Sequence, residues 1–347
     1  MKKFNLLSVI ALVSGCLEAA PPSGTVVEWG EAISAEPGVR PGGFRTRVVA
    51  IAGKTLTNVT GISAGLSHAL ALTSDGSVLG WGAVMGRTTA QDGRVVLEDG
   101  LLGSAAAISA YLNSIVLLHD GKLITWDHSG SATRIDNLPN DASIAAGFDY
   151  YLALRKDGMI RSWGRGNPPP AWLTNVSAIA VSKSFAGHGL ALTKERAVIA
   201  WALGHGSSCL VRGATNVVAI AAGQTHYLAL TSEGTVCEWG YYAYPNLAGN
   251  GLTGIPANDL SSHMVEVNGK RLTDIIAIAA GASHSLALKR NGSIIAWGID
   301  RQRKGTNTVQ LDVPAGLRGV IAISAGDGFS LALTTNNPAL PNAAPKR

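Results

Sequence analysis

One arrangement of hydrophobic and polar positions recurs along most of the chain. A strand of small residues is followed by Gly, His, a Leu-Ala-Leu strand, a tight turn and a β-branched strand that ends in Trp-Gly. Three copies read ISAGLSHALALTSDGSVLGWG from Ile62, IAAGQTHYLALTSEGTVCEWG from Ile220 and IAAGASHSLALKRNGSIIAWG from Ile278. Because every segment has the length and residue types of a strand, the pattern predicts an all-β repeat protein.

The copies can be counted from either end of the unit. Seven first strands include Ile62, Ile108, Ile144, Ile179, Ile220, Ile278 and Ile323. Seven tryptophans mark the other end, at Trp29, Trp81, Trp126, Trp163, Trp201, Trp239 and Trp297. The first Trp has no Leu-Ala-Leu strand before it, and the last such strand has no Trp after it. We therefore expect a ring closed by its termini, in which the C-terminal SLALTTNN pairs with the N-terminal GTVVEWG.

The repeated residue types predict a scaffold. Small side chains let the first strands crowd around an axis, and the Trp side chains fill the space that widens outward between blades. Asp-Gly, Glu-Gly and Asn-Gly pairs predict two-residue hairpins with positive φ. One repeat position carries His68, His188, His226 and His284, and in other blades Ser114, Tyr150 and Phe329. Because these histidines lie on different blades, we assign them to packing or hydrogen bonding rather than to a metal.

These repeats resemble those of the regulator of chromosome condensation family over about residues 24–335. The resemblance implies a seven-bladed β-propeller. RVVAIAGKTLTNVTGISAG matches HMVEVNGKRLTDIIAIAAG, so we expect the N-terminal end to supply the outer strand of the composite blade as well. The family includes a eukaryotic nucleotide exchange factor for a small GTPase, and a bacterial protein inhibitor of β-lactamases has a similar ring. Two departures from the pattern are Lys194-Glu195-Arg196 in place of a Gly turn and Tyr111 in place of Gly.

The N-terminal segment has the pattern of an export signal. Residues 1–15 begin with two lysines and continue with an apolar run too short to span a bilayer. VSGC, ending at Cys16, resembles the lipobox of bacterial lipoproteins, in which the Cys is lipidated. Cleavage after Ala20 is the alternative, although it would put Glu18 where a small residue is wanted. We expect a tether over residues 16–23, a propeller over 24–335 and a flexible tail over 336–347.

Composition and charge narrow the function further. The 42 Gly residues and the 15% of charged residues fit a β-rich protein. Loss of residues 1–15 would lower the net charge from +5 to +3, which is too small to indicate nucleic acid binding. No phosphate loop, G-x-S-x-G, H-E-x-x-H or C-x-x-C motif occurs, so we expect no cofactor, no metal and no catalytic residue. The sequence leaves open whether Cys209 and Cys237 form a disulfide.

Two insertions that the repeat does not explain are candidate binding loops. The longer one follows Trp239 and begins with Tyr241, Tyr242 and Tyr244, and the other follows Trp163 and contains Arg165 and Trp172. Tyr, Trp and Arg dominate binding hot spots, so these five residues are our candidate binding residues. The alternative is that the aromatic side chains pack under their own loops. Both insertions follow equivalent strands and should begin at the same face of the ring.

The function that the sequence favours is a non-catalytic binding scaffold. We expect a monomer in the cell envelope, in contact with the membrane only through a lipid on Cys16, that binds a protein or glycan partner. Leu17, in place of Asp after the Cys, would permit sorting to an outer membrane. The alternatives are a secreted enzyme inhibitor similar to the β-lactamase inhibitory propeller, a hydrolase or lyase with its site on one face, and a guanine nucleotide exchange factor. An export signal disfavours the last, because its GTPase partners are cytosolic.

Overall fold

The computed structural model describes residues 22–31, 44–51, 53–82, 96–97, 100–101, 104–126, 132–135, 141–184, 187–201, 208–224, 226–240, 262–298 and 312–335. The export signal, Cys16, the tyrosines at 241, 242 and 244 and the tail over 336–347 lie outside these residues. The regular elements of the described part are β-strands, and no helix there could cross a bilayer.

The strands, numbered in chain order, form layers around an axis. The innermost strands are β5 (Val59–Ala64), β10 (Ala105–Ala110), β14 (Asp141–Ala146), β17 (Val176–Val181), β21 (Val217–Ala222), β27 (Ile275–Ala280) and β30 (Val320–Ala325). The second strands are β6 (His68–Thr73), β11 (Ser114–Leu118), β15 (Tyr150–Arg155), β18 (Gly189–Thr193), β22 (His226–Thr231), β28 (His284–Lys289) and β31 (Phe329–Thr334). The third strands are β1 (Thr25–Glu31), β7 (Val78–Gly82), β12 (Leu123–Trp126), β16 (Ile160–Gly164), β19 (Val198–Trp201), β23 (Val236–Gly240) and β29 (Ile294–Gly298).

Within the described residues, four sheets have an outer strand. These strands are β2 (Phe44–Val48), β13 (Ala132–Ile135), β20 (Ser208–Leu210) and β24 (His263–Met264). Three two-stranded hairpins complete the described elements: β3 (Ala50–Ile51) with β4 (Lys54–Thr55), β8 (Val96–Leu97) with β9 (Gly100–Leu101), and β25 (Glu266–Val267) with β26 (Lys270–Arg271). The first and third hairpins lie in the two segments that the sequence comparison had matched.

The two termini meet in one sheet of order β2-β1-β31-β30. Antiparallel pairing of β1 with β31 sets Thr25 opposite Thr334 and Gly30 opposite Phe329. β2 then pairs with the other edge of β1. The all-β propeller class and the composite sheet predicted from the sequence are both confirmed.

Packing between neighbouring sheets follows a closed cycle. In the described part, the innermost strands contact one another in the order β5, β10, β14, β17, β21, β27, β30 and back to β5. Seven hydrophobic clusters lie between these sheets, and each contacts or contains one repeat tryptophan. Trp163 is half-buried and the other six are buried. Each sheet therefore buries its two faces against its two neighbours.

A buried carboxylate joins the composite sheet to its neighbour. The Trp81 indole donates a hydrogen bond of 2.7 Å to Oε2 of Glu28, and Nε of Arg47 lies 3.3 Å from Oε1 of the same side chain. Trp297 and Glu238 repeat the indole-to-carboxylate bond at 3.4 Å between two other sheets. Both carboxylates directly precede a repeat Trp, so they join neighbouring sheets by polar contacts within the apolar layer.

Each of the four repeat histidines contacts a hydroxyl group of the next sheet. His68, His226 and His284 lie 2.8, 2.8 and 2.9 Å through Nε2 from the Oγ atoms of Ser114, Ser285 and Ser330. Nδ1 of His188 lies 2.9 Å from the hydroxyl of Tyr227. The four side chains hold sheets together in sequence around the ring.

The strand register changes the assignment of one residue in the second sheet, the one equivalent to His68. Gly65 donates its N–H to the carbonyl of His68, and Tyr111 donates its own to Asn113. The loop in the second sheet is one residue shorter, so Asn113 takes the histidine position. The sequence assignment of Ser114 to that position was wrong, and Ser114 instead accepts or donates the bond to His68.

The hairpins between second and third strands contain three loop residues, and the prediction of two was wrong. The backbone of Thr73 bonds Ser77, and Gly76 donates its N–H to Thr73. This is a turn closed by a residue with positive φ, here 80° at Gly76. In the hairpin without Gly, Arg196 takes the equivalent conformation with φ 65°.

Replacing Glu28 with Ala tests the bond between the composite sheet and its neighbour. The change leaves the Trp81 indole and the Arg47 guanidinium without their buried partner, and removing one partner of such a pair costs about 3 kcal/mol. Urea unfolding should show this loss. Glu266→Ala, at an exposed carboxylate of another strand, should change the free energy of unfolding far less. Equal effects of the two changes would contradict a bonding role for Glu28.

The protein should become less stable as the pH is lowered, because the histidines are buried in their neutral form. Burial lowers the pKa of His68 to about 4 and that of His226 to about 3, from 6.5. The unfolded chain takes up these protons as the pH falls below 6.5, while the folded chain does not. The free energy of unfolding therefore decreases from pH 6.5 towards pH 4, by up to about 1.4 kcal/mol per pH unit for each histidine.

His68→Asn places at this position the residue that the second sheet carries naturally. It should reduce the slope of stability against pH in urea titrations between pH 6.5 and pH 4. Thr57→Ala, at an exposed residue without an ionisable side chain, should leave the slope unchanged. An unaltered slope in His68→Asn would show that His68 is not buried in its neutral form.

Candidate functional site

The ring has two ends with different loops. The first, here called the histidine end, carries the turns between innermost and second strands, such as 65–67 and 147–149. The second, called the hairpin end, carries the three-residue loops between second and third strands, such as 74–76 and 156–158. Third strands run from the hairpin end to the histidine end, because they are antiparallel to the second strands.

The described N-terminal residues lie at the hairpin end. β1 begins there, since Thr25 pairs with Thr334 at the end of β31. Gly24 exchanges backbone hydrogen bonds with Val59, the first residue of an innermost strand. Pro22 lines the mouth of the space along the ring axis. A chain segment that precedes Pro22 therefore joins the ring at this end.

Arg165 lies at the histidine end. It follows Gly164, the last residue of β16, and its Nε lies 3.1 Å from Oδ2 of Asp149 in the turn between two strands. The Arg165 side chain is 91% exposed. Two residues later, the carbonyl of Asn167 accepts hydrogen bonds from the Tyr150 hydroxyl and the Trp201 indole. These bonds fix the start of the insertion and leave the guanidinium in solvent.

Trp172 lies at the opposite end of the same sheet. Its neighbour Leu173 is buried in the cluster that includes Leu154 and partly buried Ile160, beside the hairpin. Asn175 lies against Gly158 within that hairpin. The Trp172 side chain is 63% exposed, and nearby Met159 is exposed as well. The insertion thus crosses the sheet edge, and the structure does not bring Arg165 and Trp172 together.

The longer insertion also begins at the histidine end. β23 ends there at Gly240, as β16 ends at Gly164. The tyrosines at 241, 242 and 244 lie outside the described residues, so their placement stays a prediction. Of the candidate binding residues, the described part shows Arg165 exposed at one end and Trp172 exposed at the other.

An axial cavity of about 600 Å³ runs between the innermost strands. Its wall consists mainly of Ala, Ile, Val and Ser, as the small-residue pattern of these strands requires. Among the described residues that line it, the charged side chains are Lys183 and Arg290. Arg290 follows a second strand at the hairpin end, and Lys183 lies in a turn at the histidine end.

Lys183 lies across the histidine end of the cavity. Its ammonium donates hydrogen bonds to the carbonyls of Ala280, at 2.8 Å, and Ala325, which end two innermost strands of other sheets. The Tyr111 ring centroid is 5.7 Å from Nζ. Burial lowers the pKa of Lys183 to about 7, although the nearby carboxylate of Asp327 acts in the opposite direction. Below about pH 7, the mainly apolar cavity therefore has a positively charged ammonium group at its histidine end.

Sequence reasoning missed Lys183, although the repeat contains a signal for it. The equivalent turn position carries Leu66, Leu112, Phe148, Gln224, Ala282 and Asp327 in the other sheets. Lysine at this position faces the axis of the ring, where the other members of the set are mostly uncharged. A comparison of repeats at this one position singles it out.

The remaining candidates for chemistry are the cysteines and a metal site. Cys237 is a buried free thiol with Sγ 3.7 Å from Sδ of Met264, and burial raises its pKa. Across the described ranges, no group of three His, Cys, Asp or Glu side chains could hold a metal ion.

Three of the repeats match a known family. A family model described as the regulator of chromosome condensation (RCC1) repeat matches residues 59–83, 142–167 and 275–302. Each matched segment covers the innermost, second and third strands of one sheet. No curated protein sequence matches the chain.

Solved structures with a similar fold include a yeast protein and a human protein. Prp20p from Saccharomyces cerevisiae matches with a TM-score of 0.67 and 18% identity, over 95% of this chain and 94% of Prp20p. Human WBSCR16 matches with a TM-score of 0.63 and 16% identity, over 90% of this chain and 99% of that protein. Prp20p binds Gsp1p and histones. Another structure shows Kap60 bound to the same yeast protein, RCC1 (Prp20). The chain therefore carries repeats of the regulator of chromosome condensation family and folds as a β-propeller of that type.

Proposed function

We propose that this protein is a non-catalytic binding scaffold, held at the cell envelope by a lipid on Cys16, that presents its histidine end to a protein partner. The observation that carries the proposal is the opposite placement of two features. The chain that leads back to Cys16 joins the ring at the hairpin end, and the two non-repeated insertions begin at the histidine end.

The tether sets the orientation of the ring. Pro22 lies six positions after Cys16, which at about 3.3–3.6 Å per residue span at most about 22 Å. A lipid on Cys16 would thus keep the hairpin end close to the membrane. The exposed Trp172 and Met159 side chains would lie on the membrane side, and Arg165 would face away from it.

The repeat architecture supports binding rather than chemistry. The residues that recur in every sheet pack the sheets together or form hydrogen bonds between them. The residues that are not repeated lie mainly in the loops. Arg165 is a donor with an exposed planar group at the start of one such loop. Proteins of the same fold bind other proteins, as Prp20p does Gsp1p and histones. We therefore favour a protein partner over a glycan.

The lipid anchor can be tested on its own. Cys16→Ala should move the protein from the membrane fraction to the soluble fraction, because a lipid chain contributes about 0.8 kcal/mol per buried CH₂. Labelling with a radioactive fatty acid should be lost in the same variant. Cys237→Ala, at a buried thiol, is the control and should leave fractionation unchanged. A wild-type protein that takes up no label would contradict the anchor.

The partner face is tested by capture from envelope extract. The tagged chain is cross-linked in the extract and compared with a variant in which Arg165, Tyr241, Tyr242 and Tyr244 are changed to Ala. A specific partner should be lost, because removal of each hot-spot residue costs about 1–2 kcal/mol or more.

Trp172→Ala is the matched control, since it removes an exposed aromatic side chain at the hairpin end. It should retain the partner. If Trp172→Ala loses the partner and the histidine-end variant keeps it, the proposed face is wrong. If the wild-type chain retains no specific protein, the scaffold proposal itself fails.

A further inference from the structure

The axial cavity has Lys183 at its histidine end, Arg290 at its hairpin end and a mainly apolar wall between them. Lys183 lies at the histidine end, and its two carbonyl contacts use two of its three N–H donors. In the described part, no acidic side chain lines the cavity. A positive charge at the end of a mainly apolar space favours a ligand that carries a negatively charged group.

Three serines extend the polar end. Ser63, Ser109 and Ser324 occupy one position on three adjacent innermost strands, next to the strand ends. Each Oγ accepts a hydrogen bond of 2.9–3.0 Å from a backbone N–H of the next innermost strand. The hydroxyl protons are left to donate, and within the described residues they have no acceptor. Hydroxyl donors and an ammonium group together suit a carboxylate, which only accepts hydrogen bonds.

A fourth serine in the wall of the cavity has an unpartnered hydroxyl group. Ser143 lines the same space and is only 2% exposed, and its Oγ has no hydrogen-bond partner in the described part. An unpartnered buried hydroxyl costs about 1–3 kcal/mol. A polar group or a water molecule beside Ser143 would remove this cost.

We propose that the axial cavity binds an amphiphilic monocarboxylate, with the carboxylate at Lys183 and the serine hydroxyls and the apolar chain between the innermost strands. The volume of about 600 Å³ lies within the range of about 300–1,000 Å³ found for small-molecule sites. Innermost strands of six residues span about 20 Å, which suits an extended alkyl chain. The site lies inside the ring and reaches the histidine end at Lys183, and neither the partner nor the lipid anchor is needed for it.

The test uses octanoate and 1-octanol, titrated separately into the purified full chain and followed by calorimetry. The two probes share an alkyl chain and differ in charge. Octanoate should bind roughly tenfold or more tightly than octanol, as expected when a charged hydrogen bond is gained. Lys183→Met should remove this preference by weakening octanoate roughly tenfold and leaving octanol unchanged. Lys194→Met, at an exposed hairpin lysine, should change neither affinity.

Two further measurements keep the test decisive if Lys183→Met does not fold. Ala106→Phe, which fills the cavity wall at the hairpin end, should abolish binding of both probes. In the wild-type chain, octanoate affinity should fall roughly tenfold from about pH 6 to about pH 8.5, because Lys183 with a pKa of about 7 loses its charge. The groups facing Lys183 are the Asp327 carboxylate, the Tyr111 ring and His226, whose pKa of about 3 keeps it neutral throughout.

The outcomes separate cleanly. Wild-type binding with a carboxylate preference that Lys183→Met removes establishes the site. Equal octanoate affinity in wild type and Lys183→Met, or a pH-independent affinity, would show that Lys183 only ties three sheets together. Absence of binding to the wild-type chain overturns the proposal, and it leaves the scaffold function unaffected, because that function is read from partner capture.

Discussion

Pairing of β1 with β31 is the interaction on which the structure depends. Each sheet buries its faces only against its neighbours, so an open row of sheets would leave two faces and two strand edges in water. The N-terminal strand closes this gap by joining the last sheet, where Val27 and Trp29 complete one inter-sheet cluster. Val26 completes the cluster on the other side. Closure therefore contributes two of the seven clusters at once.

The polar contacts follow from the same geometry. Neighbouring sheets diverge outward from the axis, and small side chains fill the narrow part while tryptophans fill the wide part. Between them, His68 and Glu28 bond across sheet boundaries and thereby fix the relative position of the sheets. Side chains such as His68 and Glu28 are buried in these contacts and so do not reach a ligand. The positions left for function are those in which one sheet differs from the rest, as Lys183 and Arg165 do.

The repeat made the fold predictable, because seven copies of one strand pattern leave few alternatives and the mismatch of the terminal copies required closure. Local length was harder. The loop that shortens by one residue before Asn113 cannot be seen from residue types, since Ser114 aligns equally well by counting from the first strand. The hairpin loops were mispredicted for a related reason, because Asp-Gly suits loops of two residues and also the three-residue loop with Gly last.

The candidate site was less predictable than the fold. Sequence proximity grouped Arg165 with Trp172, but a loop that crosses a sheet edge separates its two ends by the length of a strand. Lys183 acquires its cavity only through closure, since its carbonyl partners at Ala280 and Ala325 lie far along the chain. Contacts across a ring axis have no signature in local sequence, and only the difference between repeats points to them.

Closure is tested most directly by a disulfide between the two terminal strands. Thr25 and Thr334 are paired residues of β1 and β31, and Cα atoms of such pairs lie about 4.5–5.5 Å apart, within disulfide range. In a chain with Thr25→Cys and Thr334→Cys, the account predicts that mild oxidation forms the bond and raises Tm above that of the reduced chain and of both single variants. Thiols that stay reduced, or a bond that lowers Tm, would contradict the closed ring.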